Sequence, residues 1–204
     1  MDKSLLIVVS GISGAGKGTL CKHLCELQKD IKLSVSVTTR KPRPGEKEGE
    51  NYFFISHAEF EQMIEKEKLL EYAEVYHNYY GTPKDYVNEC LKTNDVILEI
   101  DPQGAMQIKK NEPNAVFLFV VTPTIQQQYE RLKVRDSETE EQLKTRLTAA
   151  KSELDMADQY DYVIINDDLE KTVLDMLHII ESEKCRAWRR HQFIQELKES
   201  KFYD

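Results

Sequence analysis

Apolar residues along the chain fall into unbroken runs and strict alternations, joined by stretches of helical spacing. Leu5 to Val9, the Val96-Ile97-Leu98 centre of Asp95–Asp101, Val116 to Val121 and the Tyr162–Ile165 centre of Asp161–Asp167 are the runs. They predict parallel strands covered on both faces. Val35 and Val37 alternate with serines, as in a half-exposed strand, and Tyr52 to Ile55 reads as another. Leu70, Tyr72 and Glu74 alternate with Glu71, Ala73 and Val75, a strand expected to run into a turn at Gly81-Thr82-Pro83.

Helical spacing fills the intervals. Leu20, Leu24 and Leu27 recur on one helical face, and a second periodic stretch covers Thr124 to Arg135. Ser137 and Glu140 have the spacing of a capping box for a helix through Arg146. Leu169 to Lys201 reads as one long helix, expected to pack Trp188 on the core and show Arg186, Arg189 and Arg190 to water. Strands alternating with helices predict the α/β class, a parallel sheet flanked by helices.

Length and composition narrow the class of partner. The 204 residues suit one domain with small insertions, and 40% apolar with 31% charged residues is a soluble globular profile. With 28 basic and 36 acidic residues the formal charge is −8, which argues against general binding to nucleic acid or an anionic membrane. Any phosphate site must then be a local concentration of donors. The first apolar run is too short for a signal peptide or a spanning helix. Cys21, Cys25, Cys90 and Cys185 form no C-x-x-C pair, so a reducing cytoplasm is the expected setting.

Four of the eight glycines, Gly11, Gly14, Gly16 and Gly18, fall between the first strand and the first helix. The segment runs Gly11, Ile12, Ser13, Gly14, Ala15, Gly16, Lys17, Gly18, Thr19. Strand, glycine loop and helix is the context of a phosphate-cradling loop. Glycine lets backbone N–H groups close around an anion, the helix start adds unpaired N–H groups, and Lys17 adds a mobile positive charge. The plainer alternative is a glycine-rich turn of structural use only. Gly18 stands where many such loops carry the Ser or Thr that ligates magnesium, with Thr19 one place later. The ion is then expected to be held mainly through water, phosphates and a distant carboxylate.

A second segment presents Arg40 and Arg43 in a loop rich in Pro and Gly, followed by Tyr52. Arginine suits bidentate phosphate contacts, although an isolated R-x-x-R is also compatible with a solvated basic turn, and Tyr52 with packing. The third constellation lies in Asp95–Asp101, where Glu99 and Asp101 point to the same side of a strand end. Ligands of open parallel sheets gather at that end, and Asp101 stands where a phosphate-loop enzyme carries its magnesium-organising acid. Two acids facing solvent are the alternative.

The unbroken stretch from Thr38 to Phe54 resembles the signature of the guanylate kinases, and the resemblance extends from about Leu5 to about Leu169. It implies that Ser36, Arg40, Arg43 and Tyr52 contact GMP, the arginines and the phenol on its phosphate. Leu70 to Pro83 continues the match. Here the resemblance makes Glu71 an acceptor for guanine N–H groups, puts Tyr80 on the phosphate and Thr82 on the base, and places Glu99 beside the base, where the family often has Asp. Asp101 joins this GMP set and is the expected metal residue, through water.

Guanine offers adjacent N1–H and N2–H₂ donors, so a fixed carboxylate selects it over adenine. Arg131 to Glu141 resembles the family's lid, implying that Arg131, Arg135 and Arg146 close over the ATP phosphates. A charged surface helix with i,i+4 ion pairs is the alternative. Asn166 is placed near the ATP adenine or ribose.

The expectation is a phosphate-loop kinase converting ATP and GMP to ADP and GDP with Mg²⁺, by in-line transfer and without a covalent enzyme intermediate. Its core would cover residues 1–34, 89–130 and 147–204, with a small mixed GMP-binding insertion at about 35–88 and a helical lid at about 131–146. Lys17, Arg40, Arg135 and Arg146 are the expected catalytic groups. Two rivals stay open: a non-catalytic module of the same fold that grips a phosphorylated peptide, and a kinase for another phosphorylated small molecule. Oligomeric state is undecided.

Overall fold

The computed structural model describes residues 4–75, 77–133 and 140–200. Arg135 and the capping box expected at Ser137 and Glu140 lie outside the described residues or their side chains.

Five parallel strands form the main sheet: β1 (Leu6–Gly11), β2 (Ile31–Leu33), β7 (Asp95–Glu99), β8 (Val116–Val121) and β9 (Tyr162–Ile165), in the order β2-β7-β1-β8-β9. The unbroken runs are unbroken because of where they sit. β1 lies between β7 and β8, and Ile7, Val8 and Val9 are wholly buried. Each such side chain contributes about 1.5–3 kcal/mol by leaving water. β9 is an edge strand, and there burial alternates, with Ile164 inside and Val163 and Ile165 exposed. Helix α1 (Lys17–Leu27) returns over the sheet with Leu20, Cys21 and Leu24 buried, and packs beside α7 (Leu169–Lys184).

A second, mixed sheet takes the strands β3 (Ser36–Thr38), β4 (Tyr52–Phe54), β5 (Leu69–Val75) and β6 (Asn78–Pro83), in the order β4-β3-β6-β5. Helices α2 (His57–Glu65) and α3 (Lys84–Cys90) belong to the same stretch of chain. α2 starts at a capping box made by Ser56 and Glu59. The turn expected at Gly81-Thr82-Pro83 is not there: these residues are the end of β6, and the hairpin closes at the start of that strand, where Val75 pairs with Asn78. Gly81 has no Cβ because the Glu71 carbonyl and the Phe60 ring lie against it, at 3.0 and 3.1 Å from where one would be.

Helix α4 (Pro102–Asn111) connects the two sheets, packing against both β1 and β5. Its Gln107 bonds to both backbone groups of Tyr72, accepting from the N–H at 3.2 Å and donating to the carbonyl at 2.7 Å. α5 (Ile125–Lys133) and α6 (Glu140–Leu154) lie between β8 and β9 in sequence, and a 3-10 turn, Ala157–Gln159, leads into β9.

The long C-terminal helix is two helices, α7 and α8 (His191–Lys198). The break is tertiary in origin. Buried Glu183 accepts from Tyr162 Oη at 2.6 Å and from Arg186 Nε at 2.7 Å, and Arg189 Nη2 donates to the Asn114 carbonyl at 2.8 Å. These bonds pull the chain out of helical register. Trp188 is therefore not a core residue: it is 50% exposed, with the Arg189 guanidinium 4.2 Å from its ring centroid. Arg189 in turn is mostly covered, at 14% side-chain exposure. No helix among the described residues is long and apolar enough to cross a membrane.

Candidate active site

The glycine loop leaves the C-terminal end of the central strand, between β7 and β8. Gly14 and Gly16 take positive φ, +83° and +87°. Gly16 is also the N-cap of α1, and a Cβ there would lie 2.6 Å from Asn166 Nδ2. The cap therefore carries no side-chain acceptor, and the first turn carries no acid. A helix start of this kind suits an anion, which its first N–H groups can meet. Lys17 folds back over the loop, donating to the carbonyls of Gly11 at 2.8 Å and Ile12 at 3.2 Å.

The outer side of the loop is braced by side chains from far along the chain. Asn166 Nδ2 donates to the Ala15 carbonyl at 2.7 Å, and Arg131 Nη2 to the Asn166 carbonyl at 3.0 Å. Leu132 lies against Gly14. Gly14, Gly16, Thr19, Arg131, Asn166, Asp167 and Leu169 line a cavity of about 300 Å³. Asn166 thus lines the cavity, and its amide nitrogen holds the loop.

The arginine–tyrosine segment forms a compact cluster on the small sheet. Arg40 makes a bidentate pair with Glu46, at 2.9 and 2.8 Å, and its Nε donates to Tyr80 Oη at 3.2 Å. Its guanidinium lies over the Tyr52 ring, 5.4 Å from the centroid, and Tyr52 meets Tyr80 edge to face at 5.9 Å. Glu46 also accepts from the Arg43 N–H at 2.7 Å, while Arg43 itself is exposed. The Arg40 partnership holds the Glu46 carboxyl below the usual range and raises Arg40 above its own. A planar fork held by a carboxylate is geometrically ready for a phosphate.

Glu71, on β5, is 4% exposed and accepts from Thr82 Oγ1 on β6 at 2.6 Å. Burial pushes its carboxyl up to about 7. Gly104 on α4 makes the room, since a Cβ there would stand 2.3 Å from Glu71 Oε2. Ser36 opens β3 and pairs with Tyr52.

Glu99 stands between the two halves. Its carboxylate is 3.3 Å from where a Gly18 Cβ would be, and its charge, after burial, raises the Tyr52 phenol. Asp101 is displaced from the expected strand. β7 ends at Glu99, and Asp101 is the N-cap of α4, its Oδ1 accepting from the N–H groups of Gln103 at 2.7 Å and Gly104 at 3.1 Å. Arg146 lies on α6, half-buried. Among the described residues no three His, Cys, Asp or Glu side chains cluster as a metal site.

Sequence reasoning missed Glu46, Gln128 and Glu153. Glu46 sits three residues from Arg43, and no pattern marks it as the partner of Arg40. Gln128 and Glu153 hold the loop from 115 and 140 residues away.

The geometry agrees with the comparisons. The family model described as "Guanylate kinase" matches residues 3–183. A guanylate kinase of Clostridioides difficile is 50% identical over 195 residues, covering 95% of each chain. One from Caldanaerobacter subterraneus is 48% identical over 198 residues, covering 97% of this chain and 96% of its own. The crystal structure of guanylate kinase from Anaplasma phagocytophilum superposes with a TM-score of 0.76 at 31% identity, covering 93% of this chain and 90% of the other. With a family model matched over residues 3–183 and relatives of this likeness over nearly its full length, this chain belongs to the guanylate kinase family.

Proposed function

We propose that the chain transfers the terminal phosphoryl group of ATP to GMP, giving ADP and GDP. The observation that carries this reading is the pairing of two anion sites across Glu99, one made of main-chain amides and Lys17, the other of Arg40, Tyr52 and Tyr80. ATP lies along the loop from Gly11 to Thr19, with its nucleoside end toward the cavity of Arg131, Asn166 and Leu169. GMP sits on the small sheet, within the part spanning about residues 35–88. Its phosphate takes the Arg40 fork over from Glu46, with Arg43, Tyr52 and Tyr80 around it. Its base meets Glu71, Thr82 and Ser36, with Glu99 and Asp101 at the margin.

The phosphoryl group then passes in line between the two nucleotides. Lys17 and the arginines stabilise charge that builds on the transferred group, and no side chain bonds covalently to it. Arg131 and Arg146, in a lid of about residues 131–146 to which Arg135 also belongs, are candidate contacts for the ATP phosphates. A magnesium ion fits this site as one held largely by phosphate oxygens and water. Gly18 offers no hydroxyl, Thr19 stands one place on, and Asp101 has one carboxylate oxygen committed to its helix cap. Thr19 and, through water, Asp101 would hold it. The bound ion would supply neutralisation of the phosphate charge. The four cysteines are unpaired, which supports a cytoplasmic setting.

An ADP-release assay with GMP, AMP, CMP and UMP in turn tests the substrate. Turnover is expected with GMP well above the others, and faster turnover with AMP would end the assignment. Replacing Arg43 by alanine is expected to weaken GMP binding about ten- to hundredfold, the range for one charge-assisted contact. Unchanged GMP affinity in calorimetry would remove Arg43 from the phosphate site.

A further inference from the structure

Ser13 is the third residue of the glycine loop, and both of its backbone polar groups are taken by side chains from elsewhere. Its N–H donates to Glu153 Oε2 on α6 at 3.0 Å. Its carbonyl accepts from Gln128 Nε2 on α5 at 2.8 Å. Gln128 is 3% exposed and so has no water to turn to. The next loop residues are held from the same side: Leu132, one turn beyond Gln128, lies against Gly14, and Asn166 holds the carbonyl of Ala15.

A carboxylate beside a phosphate loop works against the binding of a polyanion. Its presence has a geometric reason, because the Ser13 N–H needs an acceptor and Glu153 supplies one. A glycine-rich loop samples many backbone states when unrestrained. The Ser13 N–H belongs to the Ile12–Ser13 peptide and the Ser13 C=O to the Ser13–Gly14 peptide, so the two bonds fix two successive peptide planes and remove much of that freedom. The amides that follow, from Gly14 to Lys17, then hold the orientation that a phosphate needs before it arrives.

We propose that Gln128 and Glu153 are positioning residues that clasp the backbone of Ser13, through the two peptides that flank it, and so preset the phosphate loop for ATP. The inference rests on the reading that this loop is the ATP site. Neither side chain touches substrate. Glu153 acts as a hydrogen-bond acceptor, and its charge is incidental.

Steady-state kinetics, ADP calorimetry and thermal melting on the full chain test this. Glu153→Leu and Gln128→Leu are each expected to raise the KM for ATP and the Kd for ADP about tenfold, the effect of leaving one loop group unsatisfied. GMP affinity should not change. Glu153→Gln, which keeps an acceptor and loses the charge, should stay within about twofold of the parent. Gln128→Glu, which puts an acceptor against a carbonyl, should behave like Gln128→Leu. The two leucine variants combined should cost less than the product of their separate effects, because both act on adjoining peptides of one residue.

If Glu153→Gln is as damaging as Glu153→Leu, the clasp is wrong and the charge matters. The clasp is likewise overturned if both leucine variants melt earlier with ATP and ADP affinities unchanged. Should Glu153→Leu fail to fold, Gln128→Leu and Gln128→Glu carry the same test. Lys17→Ala separates the two levels. If it leaves ADP binding intact, the loop is not the ATP site. If it weakens ADP binding while the clasp variants do not, only the clasp fails.

Discussion

Lys17→Ala is expected to lower kcat about 10²–10³-fold, the range for losing one preorganised group that meets charge developing in a transition state. GMP should still bind with its parental affinity. The reason is spatial: the lysine belongs to the loop, with its ammonium 2.8 and 3.2 Å from two loop carbonyls, whereas the Arg40 cluster stands on the other sheet. The structure also argues that the damage stays local. Lys17 opens α1 without capping it, and Leu20 N still reaches the Gly16 carbonyl at 3.1 Å. Turnover measured beside calorimetric GMP binding checks the claim. An equal loss in both would place Lys17 at the acceptor site.

Glu71 carries the second large effect, and pH is its sharpest probe. Its folded carboxyl titrates near 7 because burial disfavours the charge. Guanine N–H donors are met by the ionised form, so GMP binding is expected to weaken as pH falls through about 7. With that midpoint the ionised fraction falls about tenfold between pH 8 and pH 6, and GMP affinity should follow. Below pH 7, binding should release a proton, visible as a buffer-dependent heat.

The GMP phosphate has its own second ionisation near 6. Glu71→Gln is therefore the control: it should weaken GMP binding by about a hundredfold, through loss of charge-assisted bonds, and flatten the part of the pH profile that belongs to the protein. A pH profile identical in parent and variant would remove Glu71 from guanine recognition.

The same carboxyl makes a prediction for the free protein. Unfolded, it titrates near 4.5, and folded near 7. Between those values the folded chain holds a proton that the unfolded chain releases. Its contribution to stability is full below about 4.5 and declines as pH rises toward 7, by roughly 3 kcal/mol over the window. Glu71→Gln should lose this slope in denaturant titrations at pH 5 and 7. Gly104→Ala should raise the KM for GMP with little change in kcat, since a methyl group there meets the Glu71 carboxylate at 2.3 Å.

Much of the site was legible in the sequence, for reasons of distance along the chain. The glycine loop is written in nine consecutive residues between an apolar run and a helix start, so local pattern finds it. The small sheet is less so. Arg40, Tyr52, Glu71, Tyr80 and Thr82 are assembled by β3, β4, β5 and β6, and only the family likeness ties them to one ligand. Gly81-Thr82-Pro83 has the composition of a turn, but the packing of Phe60 against Gly81 keeps it in a strand.

Gln128 and Glu153 left no local trace, because their partner is the backbone of Ser13. The break after α7 was hidden for the same reason: helical periodicity continues through it, and the bonds from Arg186 and Arg189 that cause it are tertiary. Asp101 was legible only as a strand-end acid, since such an acid and a helix cap look alike until Gln103 and Gly104 are seen donating to it.

Gln107 joins α4 to β5, and that bond has a consequence beyond the site. β5 is the outer strand of the small sheet, and an outer strand presents unpaired N–H and C=O groups to any extended peptide that drifts past. With both groups of Tyr72 occupied, the strand is blocked at its middle as a template for a foreign chain. The opposite margin, β4, is only three residues long. Two short or plugged borders give the small sheet little open edge from which to seed fibrils.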